Sequence, residues 1–172
     1  MLASVIVIPV SEKELRGSFV NCSKGEAQRL NPPRRLSALP WPDLDFLGWR
    51  DPGAPDRGYL VTEYRDELVG LSLRVPTGVR RSLIKTTVCS LCLTSHPGSG
   101  VSLFTAAKAG APGREGNTVG TYICTDLACS LYVRGKKVSA LGARFEESLS
   151  LEGRIARVRT NLEAFLEQVF KP

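Results

Sequence analysis

Apolar and polar positions alternate at two periods along this chain. The helical period comes first. Ser11-Glu12-Lys13-Glu14 is a capping-box pattern, with Leu15 and Phe19 four apart on one face behind it. A second box, Ser23-Lys24-Gly25-Glu26, is followed by Ala27 and Leu30, and Pro32 and Pro33 end the run. Two short helices joined around Phe19–Cys22 are predicted. The strand period follows. Gly58–Tyr64 and Leu68–Val75 are rich in Tyr, Val and Leu, with Arg65-Asp66-Glu67 as the turn of a hairpin. Val69, Leu71 and Leu73 alternate with Gly70, Ser72 and Arg74, which predicts one buried and one wet face. Leu83–Val88, Val101–Phe104 and Thr118–Cys124 read as further strands, and Thr105–Asn117, with Lys108 and Arg114, as a long mobile hairpin tip. The last element is a helix over Leu151–Phe170. Ile155, Val158, Leu162, Phe165, Leu166 and Val169 form its packing stripe. Arg154, Arg157 and Arg159 crowd its N-terminal half, the unfavourable end for cations.

Between the helices and the hairpin, residues 31–57 interleave Trp41, Phe46 and Trp49 with Pro40, Pro42, Pro52 and Pro55. Rings of that size need burial, so an ordered wrap over a core is predicted rather than a linker. Residues 1–10 read as a disordered leader or an edge strand. Their apolar run, Ala3–Val10, is too short to span a bilayer and lacks the basic start of an export signal. The expected location is cytoplasmic, with no membrane partner.

The chain has 172 residues, a formal net charge of +6, one histidine and five cysteines. A single histidine excludes most histidine-based catalysis, and no nucleophile–base pair or phosphate loop is visible. Gly113–Gly116 is a lone glycine loop. Neither enzymatic activity nor a small-molecule substrate is expected. The charge suits an RNA-rich neighbourhood or an acidic partner without choosing between them.

The cysteines carry the chemistry. Cys89-Ser-Leu-Cys92 and, far along the chain, Cys124-Thr-Asp-Leu-Ala-Cys129 can meet around one tetrahedral ion, and four soft sulfurs select zinc. The first pair sits in a tight turn after an extended segment. Cys124 ends a strand, and Asp126 is placed to cap a helix with Cys129 at its N3 position, the helix running through Leu131 and Val133 to Gly135. Knuckle, hairpin and a ligand on a helix's first turn is the treble-clef arrangement; a zinc ribbon would use a second two-residue knuckle. Lys85, Arg134, Lys136 and Lys137 flank the pairs and can offset the −2 charge of a zinc tetrathiolate. Such an ion, with four protein ligands, is structural. The alternative is a redox dithiol, but Thr94, His96, Pro97 and Gly98 after the pair argue for a loop and not the helix that chemistry uses. His96 could replace one sulfur. Cys22 reads as a small buried hydrophobe.

The expected fold is therefore α+β: a small α/β subdomain with a short antiparallel sheet over 11–84, joined to a treble-clef zinc finger with a C-terminal helix over 85–172. On these residues the chain resembles the elongation-factor-G-binding proteins of the fusidic-acid-resistance type, in their C-terminal zinc-finger domain. The likeness rests on Phe46–Asp51, Tyr59–Val61, Cys89–Cys92, Val101–Phe104 and Gly120–Cys129, and spans roughly residues 11–170. It implies zinc ligation by Cys89, Cys92, Cys124 and Cys129, and binding of elongation factor G, with release of the factor from the ribosome in the resistance proteins. It implies a partner contact at Tyr122 and, more loosely, at Phe165. Tyr122 lies between Thr121 and Ile123 in a strand, so its ring faces either the core or a partner. Arg134 and Lys136 are candidate contacts for a protein partner, or for ribosomal RNA if the chain is instead an RNA-binding zinc module. The second cysteine pair is one residue tighter than in the resistance proteins, and Val119 stands where they have a basic residue.

Overall fold

The computed structural model describes residues 9–76, 86–142 and 147–172. The leader up to Ile8, the start of the Leu83–Val88 strand and Lys85 lie outside them. Both predicted capping boxes form. Ser11 and Ser23 accept from the N–H of Glu14 and Glu26, whose carboxylates return to the cap N–H, starting α1 (Glu12–Gly17) and α2 (Lys24–Arg29). Arg16 of α1 donates to the carbonyls of Ala27, Gln28 and Leu30, which closes the helix pair.

The wrap over residues 31–57 is ordered. It holds two single 3₁₀ turns, Leu36–Ala38 and Trp41–Asp43, and then a strand that the pattern did not predict, β1 (Leu47–Arg50). Two tryptophans anchor it. Trp41 Nε1–H donates to Leu36 O and Trp49 Nε1–H to Asn31 O, so each buried ring has its one polar group satisfied.

β2 (Arg57–Tyr64) and β3 (Glu67–Arg74) form the predicted hairpin. Its loop is shorter than the sequence suggested. Arg65 and Asp66, both with positive φ, are the two residues between Tyr64 and Glu67, the geometry that matches the strands' right-handed twist. After β4 (Thr86–Val88) and β5 (Ser95–Pro97), which pair as a small second sheet, come β6 (Val101–Ala107), α3 (Ala111–Arg114), β7 (Thr118–Cys124), α4 (Cys129–Val133) and α5 (Leu151–Phe170). The main sheet is antiparallel in the order β1-β2-β3-β6-β7, so strands from both halves of the chain share it. The β6–β7 tip is not a long loop: β6 continues to Ala107, α3 fills the turn, and Ala109 N–H is held by Val169 O of α5.

The β1–β3 part of this sheet is buried on both faces, which corrects the expected wet side of the hairpin. Leu47, Trp49, Tyr59 and Val61 face one cluster with Leu15, Leu30, Trp41 and Leu44. Leu60, Leu71, Leu73, Phe104 and Ile123 face the larger cluster with Val158, Leu162, Phe165, Leu166 and Val169 of α5. The polar side of β3 is covered because the α1–α2 connector lies along it. Gly70 N–H donates to Ser18 O, Val20 N–H to Gly70 O, and Asn21 exchanges two bonds with the Ser72 main chain. A Cβ on Gly70 would sit 2.6 Å from Ser18 Oγ.

Gly48 positions the metal-bearing half against the sheet. A Cβ there would lie 2.6 Å from Leu127 O and 2.7 Å from Leu127 Cβ, both in the loop between Cys124 and Cys129. Gly48→Ala should therefore push β1 from that loop, at a cost of about 1–3 kcal/mol for an overpacked contact. Thermal unfolding checks this: a melting temperature unchanged from the parent would show that the contact yields freely.

Candidate metal centre

The knuckle of the site is built by its own backbone. Cys89 N–H donates to Thr94 O and Leu93 N–H to Cys89 O, and Leu93 takes a positive φ to close the turn. The N–H groups of Leu91 and Cys92 lie 3.4 and 3.5 Å from Cys89 Sγ, where they stabilise a thiolate. Two outside groups hold the turn. Ser90 N–H donates to Tyr122 O of β7, and Asn161 Nδ2–H of α5 donates to Leu91 O.

The second pair differs from the sequence expectation in detail. Asp126 does not cap α4; its Oδ1 accepts from Ala128 N–H and closes a local turn, with Leu127 at positive φ behind it. Cys129 is the first residue of α4 rather than its third, and the helix stops before Gly135, which has positive φ. Asp126 is held by three donors. Burial alone would raise its carboxyl, but the hydrogen bonds from Lys137, Tyr132 and Ala128 outweigh that and keep it below the usual range.

All four sulfurs are buried and within 4.8 Å of one another. Cys89 Sγ lies 3.6 Å from Cys129 Sγ, and Cys92 Sγ lies 3.5 Å from Cys124 Sγ. A tetrahedral ion with bonds of about 2.3 Å requires sulfurs roughly 3.8 Å apart, so the cluster fits zinc. Its acid–base state agrees. Burial drives the Cys129 thiol well above its ordinary range, and its contacts with Cys124 and Cys89 add to this. The cage favours one thiolate, at Cys89, solvated by its three neighbours, unless a cation joins it. With a divalent ion all four ionise, and no position is left open for a substrate.

His96 is not a fifth claimant. It lies on β5, is buried, and places Nε2 3.2 Å from Cys124 Sγ, where the ring N–H can donate to the ligand sulfur. Burial holds its imidazole neutral, below the ordinary range, against the pull of Asp126 and Cys89. Gly100 makes room for it: a Cβ there would be 2.3 Å from His96 Cβ. Cys22 is half-buried and apart from the cluster, its thiol pushed up to about 11 by burial.

The described cations that flank the cysteines pair with carboxylates of the chain, and Arg134 turns inward. Arg134 donates to both oxygens of Asp45, at 2.6 and 3.1 Å, and Arg159 Nε–H reaches Asp45 Oδ1 at 3.2 Å. The Asp45 side chain is 0% exposed. Its N–H donates to Ser130 Oγ, next to the ligand Cys129. Lys136 pairs with Asp43, Lys137 with Asp126 and Arg157 with Glu147. The arginines at the unfavourable end of α5 are thus structural in part, joining that helix to Asp45 and Glu147. Asp45 was missed in the sequence, although a lone carboxylate between Leu44 and Phe46 is the mark of a buried, paired charge.

The aromatic candidates separate. Tyr122 is 55% exposed on β7, whereas Phe165 is 6% exposed and packs in the main core. Phe165 therefore serves the interior, and its expected partner contact is withdrawn. The stripe that predicted its helix was the better guide to its role.

A knuckle, a β-hairpin and a ligand on the first turn of a short helix define a treble-clef zinc finger with one structural ion. Residues 14–169 match the FBP C-terminal treble-clef zinc-finger family, and the chain belongs to it. Among solved structures it resembles that of the fusidic acid resistance protein FusC, at 18% identity and a TM-score of 0.49, over 83% of this chain and 52% of that one. The chain thus spans about half the length of FusC. No curated protein matches it. No helix among the described residues is long and apolar enough to cross a membrane.

Proposed function

We propose that this chain is a cytoplasmic, non-enzymatic binding module for translation elongation factor G, which it helps to leave the ribosome. The observation that carries this is the placement of Tyr122. Its ring is exposed on the strand that ends in the ligand Cys124, and its carbonyl is held by Ser90 inside the knuckle. The metal cage thereby fixes an aromatic side chain on a rigid surface, as a protein-recognition anchor requires. Family membership and the resemblance in the Gly120–Cys129 segment supply the partner.

The RNA-binding alternative loses part of its support. Arg134, Arg157 and Arg159 face carboxylates within the chain and are largely covered, which leaves them poorly placed to neutralise phosphates. Arg134 and Lys136 accordingly act first on Asp45 and Asp43.

A pulldown of purified elongation factor G in nuclease-treated buffer tests the proposal. Stoichiometric capture is expected, and Tyr122→Ala should weaken it at least tenfold, the loss of one aromatic hot spot of about 1.4 kcal/mol or more. Zinc content should stay unchanged. Failure of the parent chain to capture the factor would refute the reading, as would binding that survives only with RNA present and falls steeply with salt.

A further inference from the structure

β7 is the outer edge of the main sheet, and its free side can be read from bonds at its two ends. Lys108 N–H donates to Asn117 O and Thr125 N–H to Gly100 O, both in the register that sets Ala107 against Thr118 and Val101 against Cys124. Main-chain bonding pairs in an antiparallel ladder recur every second residue. Val119, Thr121 and Ile123 therefore bond to β6, and the N–H and C=O groups of Thr118, Gly120 and Tyr122 turn away from it. The bond from Ser90 N–H to Tyr122 O, made on that far side, agrees. Among the described residues it is the only backbone contact on this edge. Thr118, Gly120 and Tyr122 are all exposed.

Natural sheets blunt such edges with lysines, prolines or bulges. Thr118–Cys124 contains no charged residue and no proline, and its register with β6 is unbroken. Gly120 at the middle adds no side chain of its own between exposed Thr118 and the Tyr122 ring.

We propose that β7 accepts an extended segment of another protein as a sixth strand, a mode of recognition that rests on the binding-module reading for its partner. The incoming segment carries acidic residues at the end that meets Thr118. There the β6–β7 tip bears Lys108 and Arg114, and the bond from Ala109 N–H to Val169 O brings Lys171 of the α5 terminus alongside. None of the three forms an ion pair among the described residues, and Glu115 is the one acid of the turn. A second copy of the chain suits the edge less well. Pairing through Thr118–Tyr122 alone buries far less than the roughly 1,200 Å² of a stable interface. A foreign partner can extend the contact over Tyr122.

Amide hydrogen exchange, read by NMR, tests this with a defined probe: a synthetic peptide of alternating Val and Thr closed by two C-terminal Asp residues, which antiparallel addition sets against Thr118, beside its N-methylated counterpart. The peptide should slow exchange at Gly120 and Tyr122 at least tenfold, and the N-methylated form should not. Gly120→Pro removes an N–H that points away from β6, so zinc content and circular dichroism should be kept while the peptide effect is lost. Equal protection in the proline variant, or no protection by the peptide, overturns the proposal. So does protection that rises with chain concentration alone, which would assign the edge to self-association. Elongation factor G separates the two readings. Capture of the factor without protection of these amides would sink strand addition and leave factor binding standing. Peptide pairing without factor capture would do the reverse.

Discussion

Stripping the metal from this protein should unfold its carboxy-terminal half, and Cys129→Ser should reproduce the effect. Cys129 is wholly buried at the first turn of α4, and its sulfur sits 3.6 Å from that of Cys89. Structural zinc binds with an apparent free energy of about 10–16 kcal/mol, whereas a whole domain is stable by only about 5–15 kcal/mol. The ion therefore contributes as much as the net stability of the fold. Elemental analysis should find one zinc per chain, and a strong chelator should abolish the cooperative thermal transition. Cys22→Ser, outside the cluster, should leave both unchanged. Acid should act like a chelator. Burial raises the Cys129 thiol, so the metal-free cage holds protons that the ion must displace. As pH falls, the protons win. Affinity should drop steeply, by about tenfold per pH unit for each proton taken up. Substoichiometric metal in native material, or four thiols freely alkylated in the folded chain, would end this account.

The parts of the fold that were legible in the sequence are those whose causes are local. Two capping boxes specify α1 and α2 through bonds that span three residues, and both form as read. The stripe from Ile155 to Val169 specifies α5, and the cysteine spacing specifies the cage. What escaped was set by residues distant in sequence. β1 is only four residues long and contains Gly48, with little strand propensity of its own; it forms because Leu47 and Trp49 have a cluster to enter and β2 to pair with. The face of β3 that reads as wet is dry because the side chains of Ser18 and Phe19 arrive from elsewhere, 2.6 and 3.2 Å from where a Cβ on Gly70 would stand.

Cations were the least legible feature, for a plain electrostatic reason. Composition counts charges and does not record their partners. Arg134 and Lys136 read as surface contacts because they flank the cysteines, yet their carboxylates, Asp45 and Asp43, lie in the aromatic wrap far upstream. Tyr122 was ambiguous for a related reason. Strand alternation gives two faces and does not say which one α5 will cover. With α5 against one side, the ring of Tyr122 falls on the other.

Asp45→Ala should be among the most destabilising changes outside the cage. The carboxylate is fully buried and receives Arg134 through two bonds and Arg159 through a third. Removing it leaves the Arg134 charge, 10% exposed, without its counter-charge. Breaking one side of a buried pair costs about 3–5 kcal/mol, because the surviving charge stays desolvated. Urea unfolding should show that loss as a lower midpoint. The exposed pair of Lys136 and Asp43 provides the contrast, and Lys136→Ala should change stability by less than about 1 kcal/mol. Because Asp45 touches no sulfur, the folded Asp45→Ala variant should still carry one zinc per chain. The double change Asp45→Leu with Arg134→Met should recover much of the loss, since an apolar replacement of the whole pair removes the stranded charge. A cost below 1 kcal/mol for the single change would mean that water reaches Arg134 freely. The backbone bond from Asp45 N–H to Ser130 Oγ is untouched by any of these variants. Stability lost while zinc is retained would therefore assign to the ion pair, and not to the metal or the backbone, the task of joining the aromatic wrap to the helix that begins at Cys129.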